Sequence, residues 1–183
     1  NMFGFGSKRQ MEWEAFEAEA LPLMGDVFRV AKYLTRDQTE AEDLTQETLV
    51  QALQSFHRYT PGTNCRAWLV TILYHMNSRR RRKLGQLKLI EDVEEQIAQT
   101  VAFVPPIPES LTDEEILKAL TRIPDNFRNI LLLTDVEDFS YKEVAEMLQV
   151  PIGTVMSRLH RGRRLMRQQL TDYARKMGLA AEG

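Results

Sequence analysis

The chain has 183 residues, of which 43% are apolar and 27% charged, and its formal net charge at pH 7 is −2. Its single cysteine, Cys65, excludes an internal disulfide framework, and no apolar run has the length of a membrane span or the form of a signal peptide. These features predict a cytoplasmic protein with enough apolar residues for one domain or two small ones.

The near-zero net charge hides an uneven distribution of charge along the chain. Six basic residues and no acid lie between Arg66 and Lys83, and five arginines and no acid lie between Met147 and Thr171. The segment between them, 89–117, carries eight acids and no base. This alternation predicts two DNA-facing modules separated by an acidic connector.

The N-terminal half has a helical period nearly throughout. Residues 1–10 are predicted to form a flexible lead-in, and 11–35 a helix that breaks or kinks at Pro22 and Gly25. Thr39 and Glu42 have the spacing of a capping box, which predicts that a helix begins there and runs to about residue 56. A loop over 59–64 is followed by a helix predicted from about residue 65 to 83.

The C-terminal half begins after a segment without sustained periodicity. Residues 85–111 contain three prolines and are predicted to form a flexible acidic linker, with one helical turn near 93–98. Thr112 and Glu115 form a second capping box, and helices are predicted over 112–122 and 125–136. The sequence therefore predicts an all-α fold of two small helical bundles, at 11–84 and 112–178, joined by the linker.

The last two predicted helices form a helix-turn-helix. Ser140 and Glu143 cap the first helix, Pro151 prevents its continuation, and Val155 and Leu159 supply the buried side of the second. A plain helical hairpin with a solvated basic face is the alternative. Because an ordinary solvated face mixes both signs of charge, the arginines without acids favour a recognition helix in the DNA major groove.

Two helices of the first bundle carry candidate surfaces. The helix over 39–56 has a polar, locally acidic face, which is either simple solvation or a docking surface for a basic partner; periodicity alone leaves both open. The helix over 65–83 mixes an aromatic, an amide and cations on one broad stripe, a combination that suits unstacked bases. Trp68 is equally compatible with the core and with a base contact.

No catalytic constellation is visible in the sequence. His57, His75 and His160 are scattered, and the spacing of Cys65 from His57 and His75 matches no metal motif. A buried or loop cysteine is the preferred interpretation. The sequence predicts a protein that is not an enzyme and that needs no metal or cofactor.

Several segments together resemble one family. They are AEDLTQET at 41–48, RAWL at 66–69, NSRR at 77–80, FSYKEVA at 139–145 and PIGTVMSRLHRGRR at 151–164. In this order and with this spacing, the stretch from about Phe16 to Leu170 resembles the extracytoplasmic-function sigma factors of bacteria. The resemblance implies a promoter-specificity subunit of RNA polymerase, with the two domains that the family numbers two and four, serving a stress, envelope or redox regulon.

The resemblance also implies roles for individual residues. Core polymerase, through the coiled-coil of its largest subunit, would be bound by Asp43, Gln46 and Glu47. The unpaired −10 element would be held by Asn64, Arg66, Trp68, Tyr74, Asn77, Arg80 and Arg81. The −35 duplex would be recognised by Thr154, Ser157, Arg158, His160, Arg161, Arg163 and Arg164. Of these, Arg158 and Arg161 are expected near bases and Arg163 and Arg164 near phosphates.

Regulation is expected to come from a separate protein. The segment 151–164 is most similar to family members held by zinc-binding, redox-responsive anti-sigma factors, with Cys65 a bystander. The chain departs from the family pattern at Met156, where many relatives carry a polar or basic residue facing DNA, and at Gln149, where many helix-turn-helix proteins have glycine. The alternative function is a stand-alone DNA-binding regulator, which would bind duplex DNA without co-eluting with core polymerase.

Overall fold

The protein is described by a computed structural model over residues 4–85 and 112–176. All regular structure in these two ranges is helical, and the chain divides into two compact units, Asn1–Leu89 and Ile90–Gly183. The predicted all-α fold with two bundles is confirmed. The predicted linker after Gly85, its helical turn near 93–98 and residues 177–178 lie outside the described residues.

Residues 4–85 of the N-terminal unit contain four α-helices. They are α1 (Gly4–Glu19), α2 (Met24–Thr35), α3 (Gln38–Ser55) and α4 (Cys65–Lys83). The predicted break is confirmed, because a short 3-10 turn containing Pro22 separates α1 from α2. Helix α1 begins at Gly4, so the helix predicted from residue 11 begins earlier, within the segment 1–10 predicted as a flexible lead-in. Residues 7–10 contain no helix breaker, and the Gln10 side chain donates a hydrogen bond to Glu14 one turn later (3.0 Å).

The start of α3 also differs from the prediction. Asp37, not Thr39, is the N-cap, since its carboxylate accepts a hydrogen bond from the Glu40 N–H at 2.9 Å. Arg36, at φ 57°, ends α2 in the left-handed conformation immediately before this cap. Asp37 precedes Thr39 by two residues, and aspartate is at least as good an N-cap as threonine, so the helix begins two residues earlier than predicted.

The core of the N-terminal unit lies where α2, α3 and α4 pack on one another. Phe16 of α1 is buried with it, and the buried side chains of the three helices are Val27, Val30, Ala31, Ala41, Leu44, Thr48, Ala52, Cys65, Ala67, Leu69, Val70, Leu73 and Tyr74. Helix α4 has the predicted bounds. Asn64 caps it by accepting a hydrogen bond from the Ala67 N–H at 3.1 Å.

The C-terminal unit also contains four described helices. They are α5 (Asp113–Leu120), α6 (Asp125–Leu131), α7 (Tyr141–Leu148) and α8 (Ile152–Lys176). The capping boxes of α5 and α7 are confirmed in both directions, at Thr112 with Glu115 and at Ser140 with Glu143. Helix α6 continues into a π turn, Leu132–Val136, in which the Glu137 N–H donates to the Leu132 carbonyl at 2.8 Å.

Helices α7 and α8 form the predicted helix-turn-helix, in which α8 packs on α6 and α7 packs on the π turn. The turn between them contains Gln149 at φ 55° and ψ 46°, a left-handed conformation in which a side chain is strained. The Val150 N–H donates to the Ala145 carbonyl at 3.1 Å, so the turn closes in spite of the missing glycine.

Replacing Gln149 by glycine should therefore stabilise the C-terminal unit. Glycine removes the strain of the left-handed conformation, which is stabilising, but it loses more conformational entropy on folding than glutamine does. The expected net increase in the free energy of unfolding is about 0.5–1 kcal/mol. Urea unfolding of the full chain measures it. Gln149→Ala is the control, since alanine keeps the strain; equal stability of the glycine and alanine variants would contradict the prediction.

Candidate functional site

The polar face predicted on α3 is exposed and borders an open cleft. The cleft has a volume of about 410 Å³ and is lined by Asp43, Gln46, Glu47, Val50, Gln51 and Met76. Two carboxylates thus flank an apolar floor, where Val50 is 55% exposed. We call this surface the acidic cleft. A surface of this composition suits a partner helix that presents both basic and apolar side chains.

The acidic cleft adjoins the helix predicted to hold the −10 element. Met76 of α4 contributes to its wall, a contribution that the periodicity of α3 gave no means to predict. Arg80 of α4 extends toward α3, with its Nε 4.0 Å from Glu47 Oε2. Both side chains are about half-exposed, so this ion pair contributes little to folding. It nevertheless places a predicted polymerase contact beside a predicted DNA contact.

The other predicted −10 residues occupy different environments on α4. Arg81 is exposed, whereas Asn77 and Arg66 are partly buried. Arg66 Nε lies 3.3 Å from an oxygen of Asp26, which also accepts a hydrogen bond from Arg29 at 3.0 Å. The side-chain oxygen of Asn64 is used by the cap of α4. Two cations of this stripe, Arg66 and Arg80, thus lie close to carboxylates of neighbouring helices.

Tyr74 is not on the outward stripe where the sequence placed it. Its side chain is only 6% exposed, so it cannot stack on a base without leaving the core. The reason is that the buried face of α4 is centred on Leu69, Val70 and Leu73, and Tyr74 lies four residues after Val70 on the same side.

Trp68 joins an aromatic cluster at the start of α4. Its ring lies 5.2 Å from that of Tyr59 and 6.1 Å from that of Phe56, centroid to centroid, and Phe56 in turn contacts Phe16. Trp68 remains partly exposed beside the 59–64 loop. A packed but partly exposed ring agrees with both interpretations, so the core and the base contact both stay open for Trp68.

Cys65 is buried beneath this cluster, as the preferred interpretation expects. Burial raises the pKa of its thiol above the ordinary value, and the carboxylate of Glu19 adds to the increase, while a hydrogen bond with Tyr59 opposes it. A protonated thiol is a poor nucleophile and a poor metal ligand. In residues 4–85 and 112–176, no group of three His, Cys, Asp or Glu side chains is placed to hold a metal ion.

The second candidate surface is the outer side of α8. Met156, Arg161, Arg164 and Arg167 are exposed on it, and Ser157, Arg158 and His160 are partly buried. Thr154 is only 6% exposed, in the turn that begins the helix. Burial and the charges of Arg164 and Arg163 lower the pKa of His160, so its imidazole is neutral at pH 7 and adds no charge to this surface.

Arg163 points inward instead of toward phosphates. Its guanidinium makes a bidentate ion pair with Asp135 of the π turn, at 2.7 and 3.0 Å, and the two side chains are 10% and 7% exposed. The hydrogen bonds with Asp135 raise the pKa of Arg163, and the Tyr141 hydroxyl adds to this increase. The phosphate role expected for Arg163 is incompatible with this geometry. Sequence pattern missed the pair because its partners are 28 residues apart.

Two neighbours of Arg163 also fix α8 on α6. The Arg161 guanidinium lies 5.3 Å from the centre of the Phe127 ring. Gly162 is buried, and a Cβ at this position would come within 3.2–3.3 Å of Leu131 and of the Phe127 carbonyl oxygen. Glycine therefore permits a close crossing of the two helices. Together with the Arg163 ion pair, these contacts fix the rotation of α8 about its axis.

Within the described ranges, no helix is both long enough and apolar enough to cross a membrane. Residues 22–86 match the family described as Sigma-70 region 2, and residues 113–166 match Sigma-70, region 4. Each match falls within one of the two units.

Individual relatives extend over both units. The chain is 38% identical over 158 residues to the ECF RNA polymerase sigma factor SigE of Mycolicibacterium smegmatis, covering 82% of the chain and 58% of that relative. It is 35% identical to the ECF RNA polymerase sigma factor EcfG of Rhodopseudomonas palustris, with 71% of each covered. Thus it spans less than two thirds of the length of the first relative and more than two thirds of the second.

Among solved structures, the sigma factor RpoE from Bartonella quintana, in complex with the anti-sigma factor NepR, is similar with a TM-score of 0.64 and 28% identity. The match covers 86% of this chain and 98% of that one. CnrH, in complex with the cytosolic domain of CnrY, shares the fold with a TM-score of 0.58 at 18% identity, covering 91% and 94%.

Proposed function

Because the chain belongs to the extracytoplasmic-function sigma factors of bacterial RNA polymerase, we propose that it binds core polymerase and directs it to promoters with its own −10 and −35 elements. The observation that carries the proposal is the presence of two surfaces of opposite character on separate units. One is the acidic cleft of α3, and the other is the basic outer side of α8.

The acidic cleft supports docking on core polymerase. Asp43, Gln46 and Glu47, the residues that the family resemblance assigns to this contact, border its apolar floor. Val50 and Met76 add apolar surface to the same cleft, a combination that suits a protein partner. We assign the cleft to the coiled-coil of the largest polymerase subunit, and a second contact, between the C-terminal unit and the polymerase flap, follows from the same resemblance.

For the −10 element, the contacts are reassigned according to exposure. The partly exposed Trp68 and Arg66 lie at the start of α4, beside the 59–64 loop, whereas Asn77, Arg80 and Arg81 follow in its second half. Stacking and cationic contacts of this kind offset the cost of unpairing a base, which is a few kcal/mol. Tyr74 supports this surface from within the core and does not touch the base.

For the −35 element, the recognition helix is α8. Ser157, Arg158 and His160 lie on its N-terminal half, which in a helix-turn-helix faces base edges, and Arg161 and Arg164 follow on the exposed side. Arg163, held by Asp135, positions the helix and is not a phosphate contact in this proposal.

Arg164→Ala should weaken promoter binding equally for all upstream sequences. The loss of one phosphate contact should lower the slope of log affinity against log salt by about 0.9. The measurement is the binding of holoenzyme to promoter fragments between about 50 and 200 mM salt. Arg122→Ala, which removes an exposed arginine outside α8, is the control and should leave the slope unchanged. A loss confined to one −35 sequence would instead make Arg164 a base contact.

An anti-sigma factor completes the proposal. The Bartonella relative forms a complex with one, and the present chain offers exposed basic and apolar residues in both units for such a partner. Because its cysteine is buried, the chain is poorly suited to sense redox signals itself, and in this proposal a separate protein silences it in the cytoplasm. Control by a zinc-binding redox partner stays a prediction, and on that hypothesis Cys65→Ser leaves redox-controlled release intact.

Gel filtration of the full chain with core polymerase tests the proposal, followed by transcription from a promoter pool and sequencing of the start sites. We expect the chain to co-elute with core polymerase. We also expect transcription to begin at sites that core polymerase alone does not use, downstream of promoters that share the same −35 and −10 sequences. Binding to duplex DNA without co-elution would establish the stand-alone regulator, which the similarity of both units to sigma factors does not favour. In this proposal the chain has no catalytic activity, because polymerisation is performed by the core enzyme.

A further inference from the structure

The N-terminal half of α8 carries two exposed apolar side chains among its polar and basic ones. Ile152 is 50% exposed and Met156 is 52% exposed. They lie four residues apart and therefore adjoin on one side of the helix. Single exposed apolar residues are common on protein surfaces. This pair differs from other exposed apolar residues because it lies in the first turns of the recognition helix, the part that contacts base edges.

The rotation of α8 determines where these side chains point. Val155 and Leu159 are buried, the Gly162 contact holds α8 close to α6, and the Arg163–Asp135 ion pair fixes the same side inward. Met156, next to Ser157, therefore lies on the exposed side of the helix, away from the buried Val155 and Leu159. Arg161, Arg164 and Arg167 follow on exposed positions of the same helix, so its surroundings favour a polyanion.

The chemistry of the major groove then selects the ligand. Each base presents hydrogen-bonding groups there, and thymine alone adds a 5-methyl group. Isoleucine has no hydrogen-bonding group and methionine only a weak acceptor, so against the other bases they would dehydrate polar edges without replacing their hydrogen bonds. The 5-methyl of thymine is the partner that these side chains bury without such a cost.

We propose that Met156, supported by Ile152, is a specificity-determining residue that recognises thymine 5-methyl groups in the −35 element of this factor's promoters. The proposal rests on the proposed function and deepens it by specifying one property of the promoter. It accounts for the departure at Met156, where a polar or basic residue would select a hydrogen-bonding base edge instead. Positions in the −35 element next to Met156 should thus be T·A pairs on one strand or the other.

The test uses holoenzyme assembled from the full chain and core polymerase. A pool with a randomised −35 element is first selected for binding, and each thymine of the selected element is then replaced by deoxyuridine, which keeps its pairing and lacks only the methyl. At one or two thymines, the replacement should weaken holoenzyme binding about four-fold, the effect expected for one buried methyl. The same replacement in Met156→Ala holoenzyme should cost less than about two-fold.

Leu117→Ala is the matched control, since Leu117 is an exposed apolar residue (51%) of the same unit outside α8, and it should retain the full four-fold sensitivity. In Met156→Arg, selection should favour guanine at the same step, because arginine binds the O6 and N7 of guanine. The proposal is overturned if deoxyuridine has no effect at any position, or if its effect is equal in wild type and Met156→Ala.

The proposed function and this inference fail in different ways. A wild-type chain that forms no holoenzyme, or starts no transcription, contradicts the sigma-factor function. Normal holoenzyme without methyl sensitivity contradicts only the role of Met156. Weaker assembly of Met156→Ala with core polymerase, at unchanged deoxyuridine sensitivity, would overturn the inference and assign the two apolar side chains to a protein contact.

Discussion

Lysine at both Asp43 and Glu47 should abolish binding to core polymerase while the N-terminal unit stays folded. The two carboxylates flank the acidic cleft, and their reversal would place like charges against a basic partner at a cost of several kcal/mol. A reduction in affinity of at least about a hundred-fold is expected, because each 1.4 kcal/mol is a factor of ten. Titration of labelled chain with core polymerase measures it.

Helicity and thermal unfolding of this variant should remain close to those of the wild type. Both residues are exposed, and the one ion pair lost, Glu47 with Arg80, joins half-exposed side chains 4.0 Å apart. Glu17→Lys combined with Glu42→Lys is the matched control, since it changes net charge equally on exposed positions outside the cleft. Wild-type affinity in the Asp43/Glu47 variant would remove the cleft from the docking surface.

Removing the carboxylate of Asp135 should be the most destabilising single change in the C-terminal unit among those considered. Asp135→Ala leaves the buried guanidinium of Arg163 without its bidentate partner, and breaking a buried pair from one side costs about 3–5 kcal/mol. Chemical denaturation of the full chain should show earlier unfolding of one unit. Because Arg163 positions α8, binding of holoenzyme to the −35 element should weaken as well.

Two comparisons separate this effect from general surface damage. Glu114→Ala removes an exposed ion pair with Lys118, whose side chains are 79% and 67% exposed, and should change stability by less than about 1 kcal/mol. Asp135→Leu combined with Arg163→Met replaces both charges by apolar groups and should recover most of the loss. An Asp135→Ala variant no less stable than Glu114→Ala would show that the pair does not hold the helix.

Local signals in the sequence predicted much of the fold. The ends of α4 and the capping boxes at Thr112 and Ser140 depend on residues at most one helical turn apart, and all of them are confirmed. The predicted cap of α3 was wrong because both Asp37 and Thr39 can cap a helix. The left-handed backbone of Arg36 ends α2 directly before Asp37, and Asp37 therefore becomes the cap. Periodicity contains no information on that backbone angle.

The candidate surfaces were predictable as charge patterns but not as geometry. Exposure of Asp43, Gln46 and Glu47 follows from the period of α3, yet their cleft needs Met76 from another helix. Tyr74 and Arg163 were assigned to DNA by residue type, whereas tertiary packing buries the first and pairs the second with Asp135. Contacts over long sequence separations decide such cases, and a single sequence does not display them.

The π turn at Leu132–Val136 makes chain length at this place as important as residue identity. The turn contains one residue more than an α-helical turn would, and this additional residue determines the direction in which the Asp135 side chain points. Deleting one residue between Leu132 and Thr134 would permit a regular helix, but it would rotate Asp135 by about 100° relative to α6 and out of reach of Arg163. A gap of one position in an otherwise well-matched homologue would therefore signal a different attachment of the recognition helix.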